Sequence, residues 1–140
     1  MSIREVFDTT TSALNSSINL RQLRHDVTAA NIANAETPGY KAKVVDFEDA
    51  LQRAVEMESI RGSSAPEGDE FAIGGAGSVR RARADVYDNP DVNVSNDKNT
   101  VDMEAEMTNL QENTLLYKAA LQLINKKLGA LRYASTEGSR

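Results

Sequence analysis

The feature that most constrains this chain lies near its C-terminus. Apolar residues fall at Met103, Met107, Leu110, Tyr117, Leu121, Ile124, Leu128 and Leu131. With Thr114 filling the one gap, they alternate by four and three residues, the signature of a heptad seam. The spacing predicts a helix over 102–134 with one sticky edge, far longer than the average of ~11–12 residues. Asp102 is placed to cap its start, and Glu104 and Glu106 suit the positive N-terminal end. Lys126, Lys127 and Arg132 suit the negative C-terminal end. Leu116, Ala120, Leu123 and Ala130 add a second stripe in the later half, so this helix wants neighbours on two sides. One source of neighbours is a helix from the same chain in a hairpin; the other is further subunits.

A helix from the same chain is on offer. Residues 1–34 contain no Pro or Gly and carry Ile3, Val6, Phe7, Ala13, Leu14, Leu20, Leu23, Val27 and Ala30 at helical spacing. Ser2 and Glu5 form a capping-box pattern at its start. Val6, Ala13, Leu20 and Val27, each seven residues from the last, are the expected partners of the C-terminal seam. All three prolines and six of the eight glycines sit between 35 and 99. There, 46–61 reads as a shorter helix on Phe47, Leu51, Ala54 and Val55, 62–78 as a flexible Gly-rich loop, and 79–87 as a short edge strand. The expectation is a mainly α fold, a coiled-coil hairpin of two long terminal heptad helices. Its segments are 1–34 (helix), 35–61 (turn motif and short helix), 62–101 (irregular, with short β strands) and 102–134 (helix).

Composition removes most chemistry. The net charge of −5 gives no positive surface for nucleic acid. The absence of cysteine excludes disulfides, thiolate catalysis and Cys-ligated zinc, and a single histidine excludes a multi-His metal site. No apolar run reaches the ~20 residues a bilayer span needs, and the N-terminus lacks a basic-then-apolar leader. His25, between Arg24 and Asp26, has no nucleophile organised around it and reads as a surface or interface residue. Gly74 to Ser78 lacks phosphate-loop spacing, and Asp85, Asp88, Asp91 and Asp97 lack calcium-loop spacing. Arg80, Arg81 and Arg83 form one basic cluster on a solvated segment. The expectation is no enzyme, no cofactor and no metal.

The informative short motif runs from Ala30 to Lys41. Thr37 precedes a proline and is pushed out of the helical region, so the first helix ends near Asn34 or Ala35. Pro38 and Gly39 suit the centre of a type II turn, where Gly takes positive φ cheaply. Asn31 and Asn34 share a helix face and are placed to bond the returning chain, Lys41 to Phe47, or a partner.

The same string resembles the N-terminal signature of the bacterial flagellar axial proteins, the rod, hook and hook-associated family: Asn-x-Ala-Asn-x-x-Thr-Pro-Gly-Tyr-Lys. Asn31, Ala33, Asn34, Thr37, Pro38, Gly39, Tyr40 and Lys41 match it. The short length, Asp46-Phe47, and the stretches 99–107, 113–117 and 123–128 resemble the proximal-rod branch of that family. The resemblance covers about 1–50 and 95–134 and leaves the middle unmatched. It implies a structural subunit whose terminal helices pack as a coiled coil inside a hollow helical tube, disordered when free and folding on assembly. It further implies export from the cytoplasm through the flagellar type III apparatus without a cleaved signal, into a periplasm-spanning rod. The implied partners are other copies, other rod proteins, the ring-to-rod junction protein, the membrane ring and the export gate. Phe47 and Leu51 match the Phe-x-x-x-hydrophobic pattern of early export substrates, although the same pair also reads as helix core. A coiled-coil adaptor or chaperone of secretion, a stable dimer when purified, is the alternative function.

Overall fold

The structure, a computed structural model, describes residues 9–62, 79, 82–90 and 96–137. In chain order the elements are α1 (Thr9–Ala33), β1 (Lys43–Asp46), α2 (Glu48–Gly62), β2 (Asp85–Asp88) and α3 (Met103–Glu137). The fold is mainly α, with the two long helices packed together and a small two-stranded sheet in the middle, as the sequence predicts. Asn31 meets Glu106 while Arg21 meets Asn113, so α1 and α3 run antiparallel. Strands β1 and β2 pair antiparallel, Lys43 opposite Asp88 and Asp46 opposite Asp85.

The ends of the elements have local causes. At the close of α1 the backbone tightens, Asn34 N bonding Asn31 O at 3.1 Å and Ala35 N bonding Ile32 O at 3.2 Å, ahead of Pro38. Asp102 Oδ1 accepts from Glu104 N and Ala105 N at 3.1 Å, an N-cap on α3 as expected. The helix then runs to Glu137, so Lys126, Lys127 and Arg132 do not fall in its last turn. The short helix starts at Glu48 instead of Asp46, because Asp46 belongs to β1. The strand expected over 79–87 is confined to Asp85–Asp88. Val79 is instead fully buried, its carbonyl accepting from Ser16 Oγ at 3.0 Å. Ser2, Ile3, Glu5, Val6, Phe7, Arg80, Arg81, Asp91 and the loop over 63–78 lie outside the described residues.

The apolar core is small: Leu20, Val45 and Phe47, with Val27, Leu51, Ala82 and Ala84 against them. Along the long helices the fully buried side chains are mostly polar. Thr11, Ser12, Ser16, Thr28 and Asn31 on α1, with Glu106 and Asn113 on α3, are buried; the buried apolar residues of these helices are Leu20 and Ala120. Glu106, Asn113 and Ala120 recur every seven residues, on one flank of the stripe formed by Leu110, Tyr117, Ile124 and Leu131. The seam expected from periodicity is that stripe, which Met103 begins, together with the opposite flank of Met107, Thr114, Leu121 and Leu128. Of this seam Met103, Met107 and Leu128 are exposed in the hairpin, while Leu110, Tyr117, Leu121, Ile124 and Leu131 are half-buried. The physical reason is hydrogen bonding: Asn31 and the Arg21 carbonyl draw Glu106 and Asn113 inward. Leu128 has a further reason, because the antiparallel pairing carries it past the described start of α1.

Candidate functional site

The signature motif builds a corner that ties the two long helices together. Tyr40 N bonds Thr37 O at 3.2 Å, and Gly39 has φ 71°, so Thr37 to Tyr40 form the expected type II turn. A second segment, leading into α3, docks on this turn. Gly39 N bonds Asp97 O at 3.0 Å, Thr100 N bonds Tyr40 O at 3.0 Å, and Ala42 N bonds Thr100 Oγ1 at 2.8 Å. Lys98 turns the segment with φ 64°, the left-handed region that a non-glycine residue enters at a cost.

Asn99 is the residue that sequence reasoning missed as part of this site. It is 3% exposed, and its Nδ2 donates to the carbonyls of Asn34, Ala35 and Thr37 at 2.8–2.9 Å. Those carbonyls lie just past α1, where the helical ladder has ended and the turn supplies backbone donors to Asn34 O and Thr37 O, so the side chain adds a second tie from 60-odd residues away. Asn99 Oδ1 accepts from Val101 N at 2.7 Å, completing the amide. The available signal was the run Asn96, Asp97, Lys98, Asn99, rich in side chains that bond nearby backbone.

Asn31 is the second node, with no exposed surface. Its Nδ2 donates to Lys43 O at 2.8 Å and to Glu106 Oε1 at 3.0 Å. Its Oδ1 accepts from Lys43 N at 3.0 Å and Tyr40 O–H at 3.3 Å. The returning chain is thus bonded by Asn31, as its position on the helix suggested. Asn34 instead closes on its own turn, donating to Ala30 O and accepting from Thr37 Oγ1. Pro38 and Gly39 are exposed. Burial pushes the Glu106 carboxyl above the usual carboxylate range; the Asn31 hydrogen bond opposes this and the Asp102 charge adds to it.

Phe47 and Leu51 sit below the corner. Phe47 is buried, with the Arg24 guanidinium 4.4 Å and the Arg21 guanidinium 5.5 Å from its ring centre. Arg24 is fully engaged, donating to Val45 O and to both oxygens of Glu48. Burial raises the Glu48 carboxyl, but the Arg24 hydrogen bonds and charge outweigh it, and the net position is below the usual range. Of the expected seam partners, Leu20 is buried, Ala13 and Val27 are half-buried, and Val6 lies outside the described residues. His25 is exposed beside Asp26. Among the described residues no cluster of His, Asp or Glu is arranged to hold a metal, and no helix is long and apolar enough to cross a membrane.

The arrangement is therefore a mechanical joint: two amides, Asn31 and Asn99, and one turn hold a pair of helices in a fixed relation. The flagella basal body rod protein family model matches residues 7–41, the stretch holding α1 and the turn. The flagellar basal body rod protein FlgB of Cereibacter sphaeroides is 39% identical over 115 residues, covering 82% of this chain and 84% of that one. The chain belongs to the FlgB family of flagellar basal-body rod proteins. FlgB of Salmonella typhimurium is 36% identical over 119 residues, covering 79% and 81%, and FlgB of Yersinia ruckeri is 33% identical over 129 residues, covering 86% and 89%. In this FlgB-family chain the signature is accordingly a structural element: its asparagines, proline and glycine are spent on backbone geometry.

Proposed function

We propose that the chain is a structural subunit of the proximal rod of the flagellar basal body that polymerises through its two terminal helices. The observation that carries this reading is the misplaced apolar surface. The hairpin buries mainly polar side chains along its long helices and leaves Met103, Met107, Leu115, Leu116, Leu123 and Leu128 exposed on α3. So many exposed large apolar residues along one long helix, spread over more than one of its sides, mark it as an interaction element. In a rod, neighbouring subunits would cover it: other copies, other rod proteins, the ring-to-rod junction protein and the membrane ring. Val6, Ala13, Leu20 and Val27, with the C-terminal seam, are the proposed assembly residues. In this scheme 1–34 and 102–134 are the assembly elements, 35–61 the bracket between them and 62–101 an outer segment. The corner sets the helix placement through which torque passes.

Export through the flagellar type III apparatus belongs to the same proposal. Phe47 is buried under two arginines in the folded chain and Leu51 is half-buried, so recognition of this pair by an export gate requires the unfolded chain. Circular dichroism with sedimentation tests the assembly reading. A rod subunit gains helicity as it polymerises with rising concentration, whereas a secretion adaptor forms a stable helical dimer already at micromolar concentration. A concentration-independent helical dimer would refute the proposal.

A further inference from the structure

Strand β2 has one covered edge and one open edge. Lys43 gives its N–H and C=O to Asn31, and Val45 its C=O to Arg24, so these groups of β1 face α1. The bonds to β2 therefore come from Val44 and Asp46, which stand opposite Tyr87 and Asp85. The N–H and C=O of Val86 and Asp88 point the other way, and among the described residues nothing pairs with them. All four residues of β2 are exposed, Val86 at 46%. An edge of this kind is a template for a further strand.

The residues around it select the strand. Ala82 and Ala84 pack on the core, so Arg83 between them turns outward, and it is exposed. Arg83 and Asp85 thus stand two residues apart on one face, opposite in charge, with Ala84 midway. When two copies run antiparallel with Ala84 opposite Ala84, Arg83 of each meets Asp85 of the other, and Val86 meets Ala82. The backbone suits this register. Ala84 falls on the same outward-bonding side as Val86, which makes Arg83 and Asp85 the non-hydrogen-bonded kind of pair, whose side chains come closest. Moving the axis by one residue sets Arg83 against Arg83 or Asp85 against Asp85, and like charges directly opposite are destabilising. We propose that free subunits pair edge to edge through β2 in the charge-matched register. A contact of this two-fold kind closes on itself, so it joins two subunits and adds no length to a rod. It is independent of the polymerisation proposed above. A four-residue edge with two exposed ion pairs holds weakly, so the dimer dissociates on dilution and in salt and forms without a gain in helicity. Those properties separate it from the stable helical dimer of a secretion adaptor.

The chain has no cysteine, so introduced thiols report cleanly. Arg83→Cys and Asp85→Cys are made in separate full-length chains, one carrying a mass tag, and mixed before mild oxidation. The mixed dimer keeps the second Arg83 and Asp85 as an intact pair, and it is the expected main product. A main product formed by either variant with itself reads a displaced axis and overturns the register. No disulfide dimer in any mixture overturns the contact. Charge reversal gives a second measurement, read by sedimentation below the concentration at which helicity rises. Arg83→Asp and Asp85→Arg each place like charges opposite one another twice, and each alone should weaken pairing about tenfold. Mixed together, the two variants recover both ion pairs and should associate as the unaltered chain does. A mixture no better than its components overturns the charge match.

Discussion

Asn31 spends its whole side chain on four bonds, and two of them were readable in advance. Its one-turn spacing from Asn34 pointed to the returning chain, and Lys43 is where the bonds fall. The bond to Glu106 was not readable, because it spans 75 residues and no local pattern encodes it. Gly39 was legible for a different reason, since a Pro-Gly pair has few conformations available. An added Cβ at Gly39 meets nothing within 4 Å, so Gly39→Ala carries only the backbone penalty of φ 71°, about 1–2 kcal/mol. Urea unfolding reads that loss, and Gly39→Asn should recover part of it. Glu106 makes a prediction with a sign. Its folded carboxyl holds a proton more tightly than an unfolded one, so its contribution to stability is greatest in acid. That contribution declines as pH rises from the ordinary carboxylate range through the raised folded value. Glu48 runs oppositely, lending stability above the ordinary range and losing it as pH falls through its lowered value. Glu106→Gln keeps an oxygen for Asn31 and removes the buried charge. It should raise stability at pH 7 by about 1 kcal/mol and flatten the acid-to-neutral decline, measured as urea midpoints across that interval.

Helices α1 and α3 were legible from periodicity and caps, because a long run of spaced apolar residues without Pro has one good solution. The boundary errors follow from context: Asp46 was taken by a strand, and Val79 by a buried contact to Ser16. The orientation of α3 was not legible. Two apolar stripes and a polar line compete for one partner, and hydrogen bonds from α1 decide in favour of the polar line. The joint between the helices rests on Asn99, whose amide reaches three carbonyls at the end of α1. Asn99→Ala removes the side-chain donor from all three, leaving the Asn34 and Thr37 oxygens their backbone donors Thr37 N and Tyr40 N, and should destabilise the chain by about 2 kcal/mol. Hydrogen exchange would show the loss first in the last turn of α1 and in residues 97–101. Asn99→Asp, with no N–H to give, should be no better.

As a whole the molecule is a hairpin whose stability and stickiness reside on different faces, and substitutions can separate them. Met107 is 49% exposed, so Met107→Asp should leave monomer stability within about 0.5 kcal/mol while removing an apolar contact from the proposed interface. Sedimentation should show weakened assembly with an unchanged circular dichroism spectrum for the monomer. Leu121→Asp, at a half-buried position, should lower both. The polar bonds between the long helices also govern sliding. Glu106 and Asn113 stand one heptad apart, about 10 Å along α3, and each bonds a group on α1. An apolar zipper of repeating leucines is nearly as content after a slip of one repeat, but here such a slip would strand a carboxylate and an amide together. A shaft made from such pairs resists longitudinal shear by being intolerant of any register but one.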